Sequence, residues 1–294
     1  MPTLGFEGLP PYAWPGGPIA GSVVLQSDTP IRGSSLSVRL KGRELAQITV
    51  SAGKSSQRLT QEVVFLEQLY DLRQSIAFVD PDHLPPGVYR APFQFTLPSG
   101  APPSLHTSPY VPEGGLGDTH RDGMYVEYLL EARLEVPLWV DLVSRGIMPV
   151  FSPRRVLGVL PAMAAGGGPD HPSITLDPTL SAPLVPGTST ELRFRVLNPG
   201  LKKLRSLSAS VTRVVQYSVH GHPGSTRTPA YGTQCAFDGR AAEYTGQLTV
   251  SVPNDEDATG PWQGQLYVTF WTVRAVLDIE LGWNVESELP LAPA

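Results

Sequence analysis

Between Met124 and Val136 an apolar side chain falls at every second position: Met124, Val126, Tyr128, Leu130, Ala132, Leu134 and Val136, with Glu127, Glu131, Arg133 and Glu135 among the residues between them. Successive strand side chains point to opposite faces, so the spacing describes a long strand with one apolar and one charged face. A helical stripe would instead need apolar residues at i, i+3 and i+4. The period of two recurs at Leu36, Val38 and Leu40, at Leu192, Phe194 and Val196, and at Leu207, Ala209 and Val211. Near the C-terminus it covers Tyr267, Thr269, Trp271, Val273, Ala275, Leu277, Ile279 and Leu281. Glycine (29) and proline (31) together fill about a fifth of the 294 positions, against an average of roughly 12%. Neither residue is tolerated inside helices. Turn clusters such as Pro15-Gly16-Gly17-Pro18, Pro98-Ser99-Gly100 and Asn198-Pro199-Gly200 punctuate the strands. The expected fold is all-β, two tandem antiparallel sandwiches of immunoglobulin-like construction. Residues 58–72 also suit a short amphipathic helix; a strand over Gln61 to Glu67 is preferred.

The length allows two domains, and the sharpest compositional break is Ala162-Met163-Ala164-Ala165-Gly166-Gly167-Gly168-Pro169-Asp170-His171-Pro172. Three consecutive glycines lose much entropy on ordering. They predict a Gly-rich linker at 164–171 between domains at 1–163 and 172–294.

Charge and cysteine content remove several classes of function. With 22 basic and 27 acidic residues the net charge is -5, unlike the basic surface that a nucleic-acid binder needs. A lone cysteine, Cys235, makes no internal disulfide and no thiolate cluster, which points to a reducing compartment. The N-terminal residues lack a secretory signal, and no stretch approaches about 18 uncharged apolar residues. The expectation is a cytoplasmic protein without an integral membrane segment.

Both halves open alike, Pro15-Gly16 before Ile19 to Leu25 and Pro186-Gly187 before Leu192 to Val196, as two copies of one unit would. The blocks Tyr12-x-x-Pro15-Gly16-x-x-Ile19-x-Gly21, Leu36-x-Val38-x-Leu40-x-Gly42, Leu84-Pro85-Pro86-Gly87-Val88-Tyr89-Arg90-Ala91-Pro92-Phe93-Gln94-Phe95-x-Leu97-Pro98 and Pro102-Pro103-Ser104-Leu105 leading to Tyr125-Val126-Glu127-Tyr128 follow in order. The second half adds Val196-Leu197-Asn198, Lys202-Lys203-Leu204-Arg205-Ser206-Leu207 and Glu288-Leu289-Pro290-Leu291. With these blocks the chain resembles the arrestin fold family, most closely its α-arrestin or arrestin-domain-containing branch. Within the fold the resemblance extends to the retromer cargo-adaptor subunit and bacterial sporulation-control proteins. It implies a non-enzymatic scaffold or adaptor in trafficking or signalling that docks a protein, such as the cytosolic part of a membrane protein. No cofactor, metal or catalytic residue is implied.

Departures from the family pattern are equally informative. Phosphate-sensing arrestins use lysines on the first strand, whereas Thr3-Leu4-Gly5-Phe6-Glu7 has none. Arg32, Arg39, Lys41 and Arg43 form a basic cluster suited to phosphate. Pro10-Pro11-Tyr12 lacks the Pro-Pro-x-Tyr spacing that recruits ubiquitin ligases.

Among chemical alternatives, His220-Gly221-His222 puts two imidazoles on alternate positions, the start of a metal site that still needs further ligands. With a loop acid such as Asp238 it supports a rival reading, a metal- or small-ligand-binding sandwich using His220 and His222. Asp118-Thr119-His120-Arg121-Asp122 and Asp80-Pro81-Asp82-His83 read as solvated turns, and Cys235 as a small core residue. Trp262, Trp271 and Trp283 are candidates to line a ligand pocket.

Overall fold

The computed structural model describes residues 2–33, 35–53, 55–75, 83–107, 122–137, 140–152, 156–179, 182–252, 260–280 and 282–292. Among them the chain is built of strands, with one 3-10 turn at Arg73–Ser75 and no α-helix. It divides into two compact units.

The first unit comprises Met1–Pro153 together with Val219–His222 and Gly264–Leu266. Its strands are β1 (Thr3–Glu7), β2 (Pro18–Ser27), β3 (Ile31–Arg32), β4 (Ser35–Ala52), β5 (Ser55–Asp71), β6 (His83–Leu84), β7 (Gly87–Thr96), β8 (Leu105–His106), β9 (Gly123–Glu135) and β10 (Leu142–Ile147). A three-stranded sheet runs β1-β2-β7, and a five-stranded sheet runs β10-β9-β4-β5 with β8 on β9. All of these pairings are antiparallel. The apolar face read from the sequence is buried, with Met124, Val126, Tyr128, Leu130, Ala132 and Leu134 of β9 beside Leu36, Val38 and Leu40 of β4. The charged face of β9 is covered as well, Tyr125, Glu127 and Glu131 also being buried. Ile19, Val23, Phe93 and Phe95 supply the other sheet's contribution to the core. The ambiguous segment is a strand of 17 residues, β5, longer than the expected Gln61 to Glu67.

Gly42 explains an irregularity in that long hairpin. The β4–β5 register slips between Gly42 and Arg43, so that Phe65 is an extra residue on β5. A Cβ on Gly42 would stand 2.6 Å from the Phe65 ring, and the same ring packs edge-on against Tyr128 at 5.6 Å. The bulge re-aims the chain, and only glycine leaves room for the ring. Elsewhere in this unit the Glu44 carboxylate is buried and accepts the backbone N–H groups of Gln265 (2.9 Å) and Leu266 (2.8 Å).

The second unit comprises Arg154–Ser218, Pro223–Gln263 and Tyr267–Ala294. Its strands are β11 (Gly158–Val159), β12 (Met163–Gly166), β13 (Ser173–Pro178), β14 (Pro183–Leu184), β15 (Ser189–Leu197), β16 (Leu204–Val219), β17 (His222–Ala236), β18 (Glu243–Ser251), β19 (Trp262–Gln263), β20 (Tyr267–Ile279) and β21 (Val285–Pro290). One sheet runs β12-β13-β15-β18, the other β17-β16-β20-β19 with β21 on β20. Leu192, Phe194, Val196, Leu207, Ala209, Val211, Trp271 and Val273 lie in a single buried cluster, against which Cys235 packs.

The glycine run differs from expectation. Met163–Gly166 is strand β12, paired with Ser173–Pro178, and Gly166, Gly167 and Gly168 turn the hairpin with φ of 74, 107 and 144°. Three left-handed positions in a row are what glycine alone adopts at little cost. The second compact unit begins at Arg154 and includes residues 164–171. By contrast the duplicated openings correspond in detail. Gly16 and Gly187 have φ of 80 and 82°. Gly16 N–H donates to Pro98 O at 3.1 Å and Gly187 N–H to Val252 O at 2.8 Å, each pinning its turn to the end of a neighbouring strand. Gly87 takes no left-handed conformation and begins β7.

Candidate interaction site

The basic cluster lies on β4, where Arg39, Lys41 and Arg43 occupy alternate positions and therefore one face. Register decides their neighbours: Arg39 lies opposite Glu131 of β9, Arg43 opposite Glu127, and Lys41 opposite Glu67 of β5. Arg39 reaches Glu131 at 3.0 Å and Glu67 at 3.4 Å. Lys41 pairs with Glu62. Arg43 reaches Glu62 at 3.3 Å and sets Nε and Nη2 at 3.1 and 2.9 Å from Glu127 Oε2. Glu131 also receives Arg145 of β10 at 2.8 Å and Arg133 at 3.5 Å.

The result is a lattice of paired charge across four strands. Burial raises the pKa of Glu131, but the Arg145 hydrogen bond and the charges of Arg39, Arg145 and Arg133 outweigh it and hold the carboxyl below the ordinary glutamate value. Glu62 is held low in the same way, burial being outweighed by Lys41 and Arg43. Three of the four expected phosphate-binding cations thus already have carboxylate partners. The fourth, Arg32, donates from Nε to His83 Nε2 at 3.2 Å. A phosphate would have to displace these carboxylates, two of which are buried. The acidic half of the lattice was readable as the charged face of residues 127–135, but which acid meets which base depends on register, which periodicity does not supply.

The histidine pair is not gathered into a metal centre among the described residues, where no group of three His, Cys, Asp or Glu side chains is placed to hold an ion. His220 sits in a left-handed turn with φ of 48°, its N–H donating to Gln61 Oε1 at 2.7 Å and its Nε2 lying 3.0 Å from Thr60 O. Both contacts fall on β5, the outer strand of its sheet. His222 opens β17, and Asp238 precedes Gly239, a turn residue at φ of 83°. Asp80, Asp82, Asp118 and His120 lie outside the described residues. Asp122 accepts the N–H and the hydroxyl of Thr49 at 2.8 and 2.9 Å, a structural task.

Nor do the three tryptophans line one pocket: Trp271 is core, Trp262 is on β19, and Trp283 is 96% exposed. The candidate surfaces are therefore strand edges and exposed side-chain clusters. No helix among the described residues is long and apolar enough to cross a membrane.

Residues 9–153 match the family described as arrestin (or S-antigen), N-terminal domain. The chain is also similar to arrestin domain-containing protein 17 of Caenorhabditis elegans, with 29% identity over 134 residues, 43% of this chain. It spans 28% of that protein's length.

Proposed function

We propose, from the match of residues 9–153 to the arrestin N-terminal domain family, that the chain is a non-enzymatic adaptor docking another protein without need of a phosphate. The cytosolic segment of a membrane protein is the leading kind of partner, and trafficking or signalling the setting. One observation carries the phosphate-independent part: Arg39, Lys41 and Arg43 each sit on a carboxylate, and β1 bears no lysine or arginine. Charge-assisted capture of phosphate needs free cations, whereas addition of an extended segment to a sheet edge uses backbone groups and side-chain shape.

The test is proximity labelling with the intact chain in cells that express it, followed by capture of the enriched protein before and after phosphatase treatment. The expected result is one reproducibly enriched protein whose retention survives the phosphatase. Loss of capture on dephosphorylation removes the phosphate-independent reading, and absence of any enriched protein removes the adaptor reading.

A further inference from the structure

We infer that one end of the first unit, built from residues 9–18, 98–105 and 147–152, is a docking platform for an uncharged proline-rich segment in the polyproline II conformation. This deepens the adaptor reading and rests on it for its biological setting. Ala13 forms a parallel bridge with Val150, through Ala13 N–H to Pro149 O at 2.8 Å and Phe151 N–H to Ala13 O at 2.9 Å. Ala13 and Val150 are buried, so their neighbours Tyr12, Trp14 and Phe151 turn the other way. The rings form a contiguous cluster. Tyr12 stands 5.1 Å from Trp14 and 5.5 Å from Phe151, and Trp14 stands 6.4 Å from Phe151.

Tyr12 and Trp14 nevertheless remain 41 and 44% exposed. Their backbone is fixed. Gly17 N–H donates to Trp14 O at 2.8 Å, Gly16 N–H to Pro98 O at 3.1 Å, and Val150 N–H to Ser104 Oγ at 3.0 Å. Rings presented on a pinned backbone cost little entropy when a ligand arrives.

Two further observations select the occupant. The three segments contain no Asp, Glu, Lys or Arg, with Arg154 and Arg155 following beyond the third, so the complement of the platform itself is uncharged. An anionic bilayer would be drawn by lysine and arginine beside the aromatics, and none stands in these segments. Second, neither the Tyr12 hydroxyl nor the Trp14 indole N–H has a hydrogen-bond partner among the described residues. Tyrosine and tryptophan pair an apolar ring with a donor that seeks an acceptor. A polyproline II chain offers apolar pyrrolidine rings and backbone carbonyls without internal hydrogen bonds, the complement of such rings and donors.

The test is titration of the intact protein with blocked decaproline, followed by calorimetry, beside a blocked Gly-Ser repeat of equal length. Saturable binding of decaproline and none of the Gly-Ser peptide is expected. Trp14→Ala should weaken binding about tenfold or more. Tyr12→Phe, which keeps the ring and removes only the hydroxyl, should weaken it severalfold, and it serves as the decisive variant should Trp14→Ala not fold. Equal binding of the two peptides, or unchanged affinity in the variants, overturns the proposal. Trp14-dependent recruitment to phosphatidylserine vesicles with no decaproline binding overturns it in favour of a membrane. If decaproline fails while the intact chain still captures its labelled partner, the platform is wrong and the adaptor reading stands.

Discussion

Arg43 and Glu127 face each other across β4 and β9 with two guanidinium nitrogens on one carboxylate oxygen, at 3.1 and 2.9 Å, and the Glu127 side chain is 1% exposed. A buried pair of this kind is costly to break because the survivor is left charged and poorly solvated, whereas replacing both members with apolar groups is often neutral. Glu127→Leu should cost about 3 kcal/mol or more in urea unfolding, and the double variant Arg43→Met with Glu127→Leu should recover most of that loss. Additive losses in the double variant would show that the pair does not act as a unit.

Gly42 faces the Phe65 ring, which a Cβ would approach to 2.6 Å. Gly42→Ala should therefore destabilise by about 2 kcal/mol through overpacking. Phe65→Leu in the same background should relieve part of the loss. Thermal unfolding of the single and double variants measures both, and an unchanged midpoint for Gly42→Ala would remove the assigned role of the bulge.

Acidification should weaken the fold. Burial raises the Glu131 and Glu62 carboxyls, but their arginine and lysine partners hold both below the ordinary value of 4.5. A carboxyl with a folded pKa below its unfolded one contributes stability that is full above the unfolded value and is lost as pH falls through the folded value. The unfolding midpoint should be flat near neutrality and fall below about pH 4.5. Arg145→Met, which removes one partner of Glu131, should make that decline shallower. An identical profile in the variant would contradict the lattice as its source.

Trp271 and Trp283 separate core from surface. Trp271 belongs to the second unit's buried cluster, and Trp271→Ala should cost about 3 to 5 kcal/mol. Trp283 is 96% exposed, and Trp283→Ser should change stability by about 0.5 kcal/mol or less. Chemical denaturation of the two variants checks the contrast.

Asn198 is fully buried. Its Nδ2 donates to Lys202 O at 2.8 Å and Ala241 O at 3.0 Å, and its Oδ1 accepts the Lys202 N–H at 3.0 Å. Asn198→Ala strands these backbone groups and should cost about 3 kcal/mol. Hydrogen exchange at Lys202 should accelerate, and continued protection there would place the loop's restraint elsewhere.

What could be read from the chain was what depends on nearest neighbours. The apolar face of residues 124–134 and the Pro15-Gly16 and Pro186-Gly187 turns follow from side-chain alternation and from glycine's freedom at positive φ. The run Gly166-Gly167-Gly168 reads as a linker in sequence and turns a hairpin in the structure, because flexibility in the unfolded chain and left-handed geometry in a folded turn call for the same residue. The lattice around Glu131 escaped because its members come from residues 39, 133 and 145, joined only once the register of β4, β9 and β10 is set. Tyr12 was visible as part of a motif, but its exposure beside Trp14 depends on Ala13 pairing with Val150.

The Glu44 carboxylate obtains its backbone donors from Gln265 and Leu266, residues far along the chain that are part of the first unit. During synthesis, then, the N-terminal sandwich emerges with an acid whose backbone donors have not yet been translated. Gene dissection meets the same gap, since a fragment ending at residue 153 omits part of what completes its own interior.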